Sequence, residues 1–89
     1  MDEKQLKATI RSHALFLSGG NGGKRADIRL KDLKKINLNS MNLREAVLTG
    51  CNFTGGSFVN TDFRGADLYG CVFTNANLQN AKLDRVDLR

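Results

Sequence analysis

The amino-acid sequence predicts a solenoid preceded by one short helix, and three observations predict this fold class. Every fifth position from residue 28 to residue 88 carries Leu, Ile or Phe, without a skipped or inserted residue. The position two residues earlier is mostly small, and the chain contains no proline that would remove a backbone donor. A period of five fits neither a helix nor a strand. It suits short repeats that bury their apolar residue only by stacking on their neighbours.

Two columns of residues define the repeat. The large apolar column is Ile28, Leu33, Leu38, Leu43, Leu48, Phe53, Phe58, Phe63, Leu68, Phe73, Leu78, Leu83 and Leu88. The small column is Ala26, Ala46, Cys51, Gly56, Thr61, Ala66, Cys71, Ala76 and Ala81. Asp or Asn separates the columns in most repeats, as in Ala66-Asp67-Leu68. This register resembles the pentapeptide-repeat family, whose unit is approximately Ala-(Asp/Asn)-Leu-x-x. The resemblance implies an all-β solenoid, a right-handed quadrilateral β-helix of about three turns, with a short N-terminal capping α-helix.

Residues 1–23 are predicted to form the capping helix and a Gly-rich turn. Asp2 is the candidate N-cap, and the Gly-rich run at 18–23 ends the helix. Helical spacing places four apolar residues on one face: Leu6, Ile10, Ala14 and Leu17. We expect this face to cover the open end of the first coil.

Residues 24–89 are predicted to form the β-helix, whose first coil is irregular. Lys31 occupies an inward slot, where an unpaired ammonium would be costly, and Leu30 occupies an outward slot. Both residues fit an expectation that the helix packs over this part of the first coil. Glycines recur at the last position of a repeat, where the chain turns a corner and positive φ is useful.

The two cysteines and the single histidine are the residues with reactive or metal-binding side chains. The spacing of twenty residues stacks Cys51 under Cys71 at about 4.8 Å, which permits a disulfide. We expect both to remain reduced and to pack as small apolar residues. His13 has no second imidazole beside it, so we expect no metal site and a partly exposed histidine near the Gly-rich turn.

Positive charge marks the candidate binding residues. The net charge is +5, and seven Lys/Arg against three Asp/Glu in residues 24–45 give +4 of it. The candidates for partner binding are Arg29, Lys34, Lys35, Arg44, Arg64 and Tyr69. Twenty-residue spacing stacks Arg44 under Arg64, with Asp62 beside them. The alternative interpretation of the basic cluster is a solvated end of the solenoid, partly offset by Asp27 and Asp32.

No nucleophile–base–orienter set is present in the sequence, so an enzyme is the least expected class, and no cofactor is expected. The resemblance implies a non-enzymatic protein-binding module. Family members that act on DNA gyrase imitate DNA with acidic side chains, but residues 26–89 hold nine Lys/Arg against seven Asp/Glu. We therefore expect a small inhibitor or modulator of a bacterial or phage nucleic-acid-handling enzyme that uses one face. The alternatives are direct nucleic-acid binding through the basic end and a purely structural or assembly module.

The sequence also leads to expectations about the location of the protein and its oligomeric state. The charged N-terminus and the short apolar run at 14–17 resemble neither a secretory signal nor a membrane span, so we expect a soluble cytoplasmic protein. The last coil would leave apolar residues and strand edges uncovered, which predicts a homodimer joined through this end. The residues expected at the joint are Leu78, Leu83, Val86 and Leu88.

Overall fold

The computed structural model describes residues 1–89, which form one helix followed by a stack of short coils. The helix, α1, spans Glu3–Ser18. The side chain of Asp2 accepts a hydrogen bond from the backbone N–H of Gln5 at 2.7 Å, and the Gln5 side chain accepts one from the N–H of Asp2 at 2.9 Å. This reciprocal pair confirms the predicted N-cap. Gly19, with φ of 79°, closes the C-terminus of the helix.

From residue 27 onward the chain forms isolated parallel β-bridges, each of which joins residues twenty positions apart. The bridges fall into four columns. Column 1 holds Asp27, Val47, Asp67 and Asp87; column 2 holds Asp32, Asn52 and Val72; column 3 holds Asn37, Ser57 and Asn77; column 4 holds Asn42, Asp62 and Lys82. The chain is therefore a β-helix solenoid with twenty residues per coil, in which each strand is a single bridge residue.

Two kinds of backbone hydrogen bond join successive coils. A bridge residue donates to a carbonyl 21 residues earlier, as Val47 does to Ala26 at 2.9 Å. The large apolar residue and the last residue of each repeat donate to a carbonyl 19 residues later, as Ile28 does to Val47 at 2.8 Å and Leu30 does to Thr49 at 3.0 Å. The same pattern repeats in all four columns, so each coil fixes the position of the next.

The repeated Asp or Asn has a local structural role. Its side-chain oxygen accepts the backbone N–H of the residue two positions later, as Asn37 does from Asn39 at 2.9 Å and Asp67 does from Tyr69 at 3.0 Å. This bond stabilises the backbone beside each corner. Recurrence of acids at the repeat period is therefore explained by backbone geometry.

Each corner places the last residue of its repeat at positive φ. Four corners use glycine, including Gly50 at 71°, while Leu30 adopts 57° and Lys35 adopts 60°. At Gly50 a Cβ atom would lie 2.5 Å from Cδ2 of Leu30, because the leucine side chain crosses this glycine. The glycine therefore makes room for the corner side chain of the coil before it.

The expectation that α1 covers Leu30 and Lys31 is wrong. Leu30 is 81% exposed and Lys31 is also exposed. The hydrogen bonds from α1 reach Ala26 and the carbonyl of Arg44, so the helix lies on the other side of column 1 from this corner. The ammonium of Lys31 remains in water, which avoids the cost of burying an unpaired charge.

The core lies along the solenoid axis and is most completely buried in its middle. Phe53, Phe58 and Phe63 have no exposed surface. The rings of Phe53 and Phe58 meet edge to face, with centroids 5.2 Å apart, and Phe58 lies 5.6 Å from Phe63. Such arrangements add to the stabilisation that comes from area burial alone.

Three residues of the small column bond across coils. Cys51 donates to the carbonyl of Ile28 at 3.3 Å, Thr61 to that of Leu38 at 2.7 Å, and Cys71 to that of Leu48 at 2.9 Å. Both cysteines are free thiols in the structure. Burial raises the pKa of the Cys51 thiol, and it raises the pKa of the Cys71 thiol to about 11. Both thiols are therefore protonated donors inside the solenoid at neutral pH.

His13 joins α1 to the beginning and the end of the first coil, which corrects two expectations about the helix. The histidine is fully buried, although a partly exposed position was expected. Its Nδ1 accepts the backbone N–H of Ala26 at 2.9 Å, so its Nε2 carries the proton and donates to the carbonyl of Arg44 at 2.7 Å. The buried face of α1 consists of Leu6, Ile10 and His13, and Ala14 is exposed. An imidazole is accommodated on this buried face because it satisfies two backbone groups.

Candidate functional site

The six candidate partner-binding residues lie beside three of the four columns of bridges. Arg29 and Tyr69 each follow a residue of column 1 by two positions, so they share that side. Lys34 and Lys35 lie beside column 2. Arg44 and Arg64 lie beside column 4, and this is the pair of candidate arginines that the structure brings together.

Arg44 and Arg64 flank one carboxylate. Nη2 of Arg64 lies 2.7 Å from Oδ2 of Asp62, and Nε of Arg64 donates to Oδ1 of Asp62 at 3.0 Å. Nε of Arg44 donates to Oδ1 of Asn42 at 3.2 Å and lies 4.0 Å from Oδ2 of Asp62. Hydrogen bonds from Arg64 lower the pKa of Asp62, so the carboxylate is ionised at neutral pH. The guanidinium of Arg64 is thus held in a fixed orientation.

A concavity of about 230 Å³ opens between this pair and the C-terminal part of α1. It is lined by Leu17, Arg44, Glu45, Arg64 and Arg85, which we call the arginine concavity. Arg85 has no carboxylate within 4.0 Å, whereas Glu45 lies 3.9 Å from Arg25. The lining therefore carries three guanidinium groups against one carboxylate, and that carboxylate contacts a further arginine.

Sequence reasoning did not assign Leu17, Glu45 or Arg85 to this concavity. Arg85 lies forty positions after Glu45, with Gly65 between them, so the three share one corner column. The twenty-residue period could have placed Arg85 near Arg64. The period could not show where α1 ends against the coils. That position is what places Leu17 at the concavity as its apolar wall.

The basic cluster at residues 24–35 is partly neutralised. Nε of Arg29 lies 2.6 Å from Oδ1 of Asp27, and Nζ of Lys34 lies 3.6 Å from Oδ2 of Asp32. The hydrogen bonds from Arg29 lower the pKa of Asp27. Lys35 has no such partner. Exposed pairs of this kind contribute little stability and reduce the local field.

On the side of column 1, Tyr69 is half-exposed, and the guanidinium carbon of Arg89 lies 6.0 Å from the centroid of its ring. Asp87 holds Arg89 in place, with Oδ2 2.9 Å from Nη2. Arg29 lies on the same side but engages Asp27. These contacts make two separate ion pairs and one aromatic contact on this side.

The last coil is less buried than the others. Leu83 is 37% exposed and Leu88 is 60% exposed, while Leu78 and Val86 are partly buried against the core. No backbone donor pairs with four carbonyls on the outer edge of this coil: Cys71, Ala76, Ala81 and Val86. The corresponding carbonyls in earlier coils accept bonds from the coil that follows, as Ala46 does from Asp67 at 2.9 Å.

The structure contains no group of three or more His, Cys, Asp or Glu residues that could hold a metal ion. It also contains no helix that combines the length and the apolar character needed to cross a membrane.

Comparison with known proteins finds one family model. The model for pentapeptide repeats, described as nine copies, matches residues 38–82, which is 45 of the 89 residues. The chain is also similar to a pentapeptide repeat protein from Nostoc Pcc 7120, whose crystal structure was determined at 1.7 Å resolution. That similarity has 23% sequence identity and a TM-score of 0.38, and it covers 89% of this chain and 74% of the other. No curated protein matches the chain.

Proposed function

This chain belongs to the pentapeptide repeat family, and from that premise we propose that it is a non-enzymatic protein-binding module that inhibits or modulates a bacterial or phage nucleic-acid-handling enzyme. Pentapeptide repeat proteins are generally non-enzymatic structural or binding modules. The observation that carries the proposal is the pair Arg44 and Arg64 beside column 4, in which Asp62 holds the guanidinium of Arg64 in a fixed orientation. Side chains held in place before binding lose little conformational freedom when a partner docks.

We further propose that the β-helix is right-handed and four-sided, with one column of bridges on each side, and that α1 caps its first coil. Support for the capping role comes from Leu6 and Ile10, which belong to the same buried cluster as the core of the coils, and from the two hydrogen bonds of His13. A rigid, covered column of this kind presents its outward side chains at fixed positions.

The partner surface is expected to be acidic. The repeats of column 4 hold four Lys/Arg against three Asp/Glu, the concavity lining holds three arginines against Glu45, and the whole chain carries a net charge of +5. A partner patch of opposite charge would associate faster and in a defined register. The protein therefore modulates its target through one basic side, in contrast to family members that imitate DNA with acidic rods.

The test is a pull-down of cytoplasmic bacterial proteins on immobilised protein, repeated after nuclease treatment and at high salt. The variant Arg44→Ala/Arg64→Ala should lose the bound enzyme, because it removes the fixed guanidinium groups. The matched control Arg29→Ala removes an exposed, carboxylate-paired arginine from another side and should retain the enzyme. Equal capture by both variants would refute the use of this side. Supercoiling by purified bacterial DNA gyrase, with and without the protein, is a direct functional readout.

Direct nucleic-acid binding through the basic N-terminal end is the second candidate, and exposed Lys31 and Lys35, which lie in no ion pair, favour it. Capture that disappears after nuclease treatment and falls steeply with salt would identify this function, because phosphate contacts release counterions. Capture that resists both treatments identifies a protein partner. Absence of any specific capture or gyrase effect would leave the structural or assembly role as the function.

We also propose that the protein forms a homodimer through its last coil. The carbonyls of Cys71, Ala76, Ala81 and Val86 form an unpaired edge beside exposed apolar side chains, and such edges pair readily with another chain. A second copy supplies an identical edge, and two-fold pairing closes both. Light scattering at tens of micromolar should give twice the mass of one chain. Leu88→Glu should reduce it to one chain without unfolding the coils, and a monomeric wild-type protein would refute the dimer.

A further inference from the structure

We propose that the arginine concavity is a binding site for a phosphate monoester, and that in the module proposed above this group is a phosphorylated side chain of the protein partner. The partner assignment rests on the proposed function, whereas binding of the phosphate group itself does not. The concavity joins residues from three coils and from α1: Arg44, Arg64, Arg85, Glu45 and Leu17.

The number of guanidinium groups favours phosphate over carboxylate. One arginine can satisfy a carboxylate with two parallel hydrogen bonds, whereas a phosphate monoester carries up to two charges and three acceptor oxygens. Arg44, Arg64 and Arg85 line one concavity of about 230 Å³, so their donors can surround a single group. Guanidinium is also the side chain best suited to bidentate phosphate recognition.

The three arginines have different amounts of free donor capacity. Arg64 uses Nε and Nη2 on Asp62, and Arg44 uses Nε on Asn42, so each keeps N–H donors that are not engaged by these partners. Arg85 takes part in none of the ion pairs and side-chain hydrogen bonds of the structure. A positive group without a partner at the edge of a concavity is the one that an anion would engage most fully.

The other two residues that line the concavity, Glu45 and Leu17, restrict which anions it can bind. Glu45 would repel an anion, but its carboxylate lies 3.9 Å from Arg25, which offsets part of its charge. Leu17 provides an apolar wall at the side of α1, so the space suits one compact terminal group. The phosphodiester backbone of a nucleic acid carries its charges along a line and has no such end group, so a phosphorylated side chain fits the concavity better.

The first experiment titrates the full-length protein with inorganic phosphate and follows the Arg Nε and backbone amide resonances by NMR. Saturable shifts at Arg44, Arg64 and Arg85 are expected, and sodium chloride at matched ionic strength should not reproduce them. Arg85→Ala should weaken binding about tenfold or more, because it removes a charge-assisted contact without changing Cβ at this positive-φ corner. Arg11→Ala, at an exposed position of α1 that does not line the concavity, is the control and should bind phosphate as the wild type does. Non-saturable shifts, or equal binding by Arg85→Ala, would overturn the site.

The second experiment compares three probes on the same protein: a phosphoserine peptide, its unphosphorylated form and a single-stranded oligonucleotide without terminal phosphates. Tighter binding of the phosphopeptide than of both other probes is expected. An oligonucleotide that binds as tightly as the phosphopeptide would overturn the assignment to a phosphorylated side chain. If the wild-type protein binds phosphate but captures no enzyme, the proposed function is refuted and the phosphate site stands. If it captures an enzyme but binds no phosphate, the phosphate site is refuted and the proposed function stands.

Discussion

The middle coil and the last coil carry the same repeat but differ in burial. Phe53 is completely buried, whereas Phe73, twenty residues later, is only partly buried. Leu48 is almost fully buried, whereas Leu88, forty residues later, is 60% exposed. An apolar residue in the repeat column is therefore a core residue only when a coil or α1 covers it on both sides. The contribution of a repeat residue to the free energy of unfolding therefore depends more on how completely its neighbours cover it than on the type of residue.

The largest expected effect compares Leu48→Glu with Leu88→Glu, which place one carboxylate at equivalent repeat positions. Leu48→Glu should cost at least about 4 kcal/mol, because it buries an unpaired charge, and it should leave little folded protein. Leu88→Glu should change the free energy of unfolding of the single chain by less than about 1 kcal/mol. Urea unfolding followed by circular dichroism measures both. Similar losses would show that the last coil is as well covered as the middle.

The second comparison uses Phe58→Ala and Phe73→Ala. Phe58 packs against Phe53, Phe63 and Phe73 with no exposed surface, so its truncation should cost about 3–5 kcal/mol. Phe73 is partly buried, and we expect less than about half of that loss. The same urea titrations decide the point. A loss below about 1 kcal/mol for Phe58→Ala would contradict its place in the core.

A smaller effect tests the packing of α1 against the first coil. His13→Ala leaves the N–H of Ala26 and the carbonyl of Arg44 without their partner, at roughly 1–3 kcal/mol for each group that stays dry. The amide of Ala26 should also exchange its hydrogen faster. Arg11→Ala, at an exposed position on α1, is the control and should change stability by less than about 0.5 kcal/mol. Equal stability of the two variants would mean that water replaces the imidazole.

The smallest expected effect concerns pH. Burial raises the pKa of the Cys71 thiol from 9.0 to about 11, so the folded state keeps a proton that the unfolded state loses. The free energy of unfolding should be unaffected by this thiol below pH 9.0 and should fall as pH rises from there to about 11. Cys71→Ala should show a shallower fall across that window. Identical pH profiles for the variant and the wild type would contradict the raised pKa of this partly buried thiol.

The sequence predicted the periodic part of the molecule well for a physical reason. A column such as Phe53 and Phe73 recurs at a fixed spacing because backbone bonds force equivalent residues to stack. The same rule placed Arg44 beside Arg64 and Asp62. Any feature that the period alone determines can be read from residue numbers.

Features outside the period could not be predicted. The buried face of α1 includes His13 where an apolar residue was expected at position 14, since helical spacing cannot show which backbone groups need a partner. The exposure of Leu30 and Lys31 depends on where α1 lies, which no repeat determines. The arginine concavity also needs Leu17 from α1, so it could not be found from the coils alone.

The bond pattern between coils has a consequence for insertions and deletions. Because every bridge joins residues twenty positions apart, adding one residue inside a coil would shift all later inward side chains out of the core. Five added residues would keep the apolar column but move Arg64 away from Arg44 to a neighbouring side. Twenty added residues would preserve every column and lengthen the protein by one coil, about 4.8 Å. Related chains should therefore differ in length by multiples of five, and those that keep the same binding side should differ by multiples of twenty.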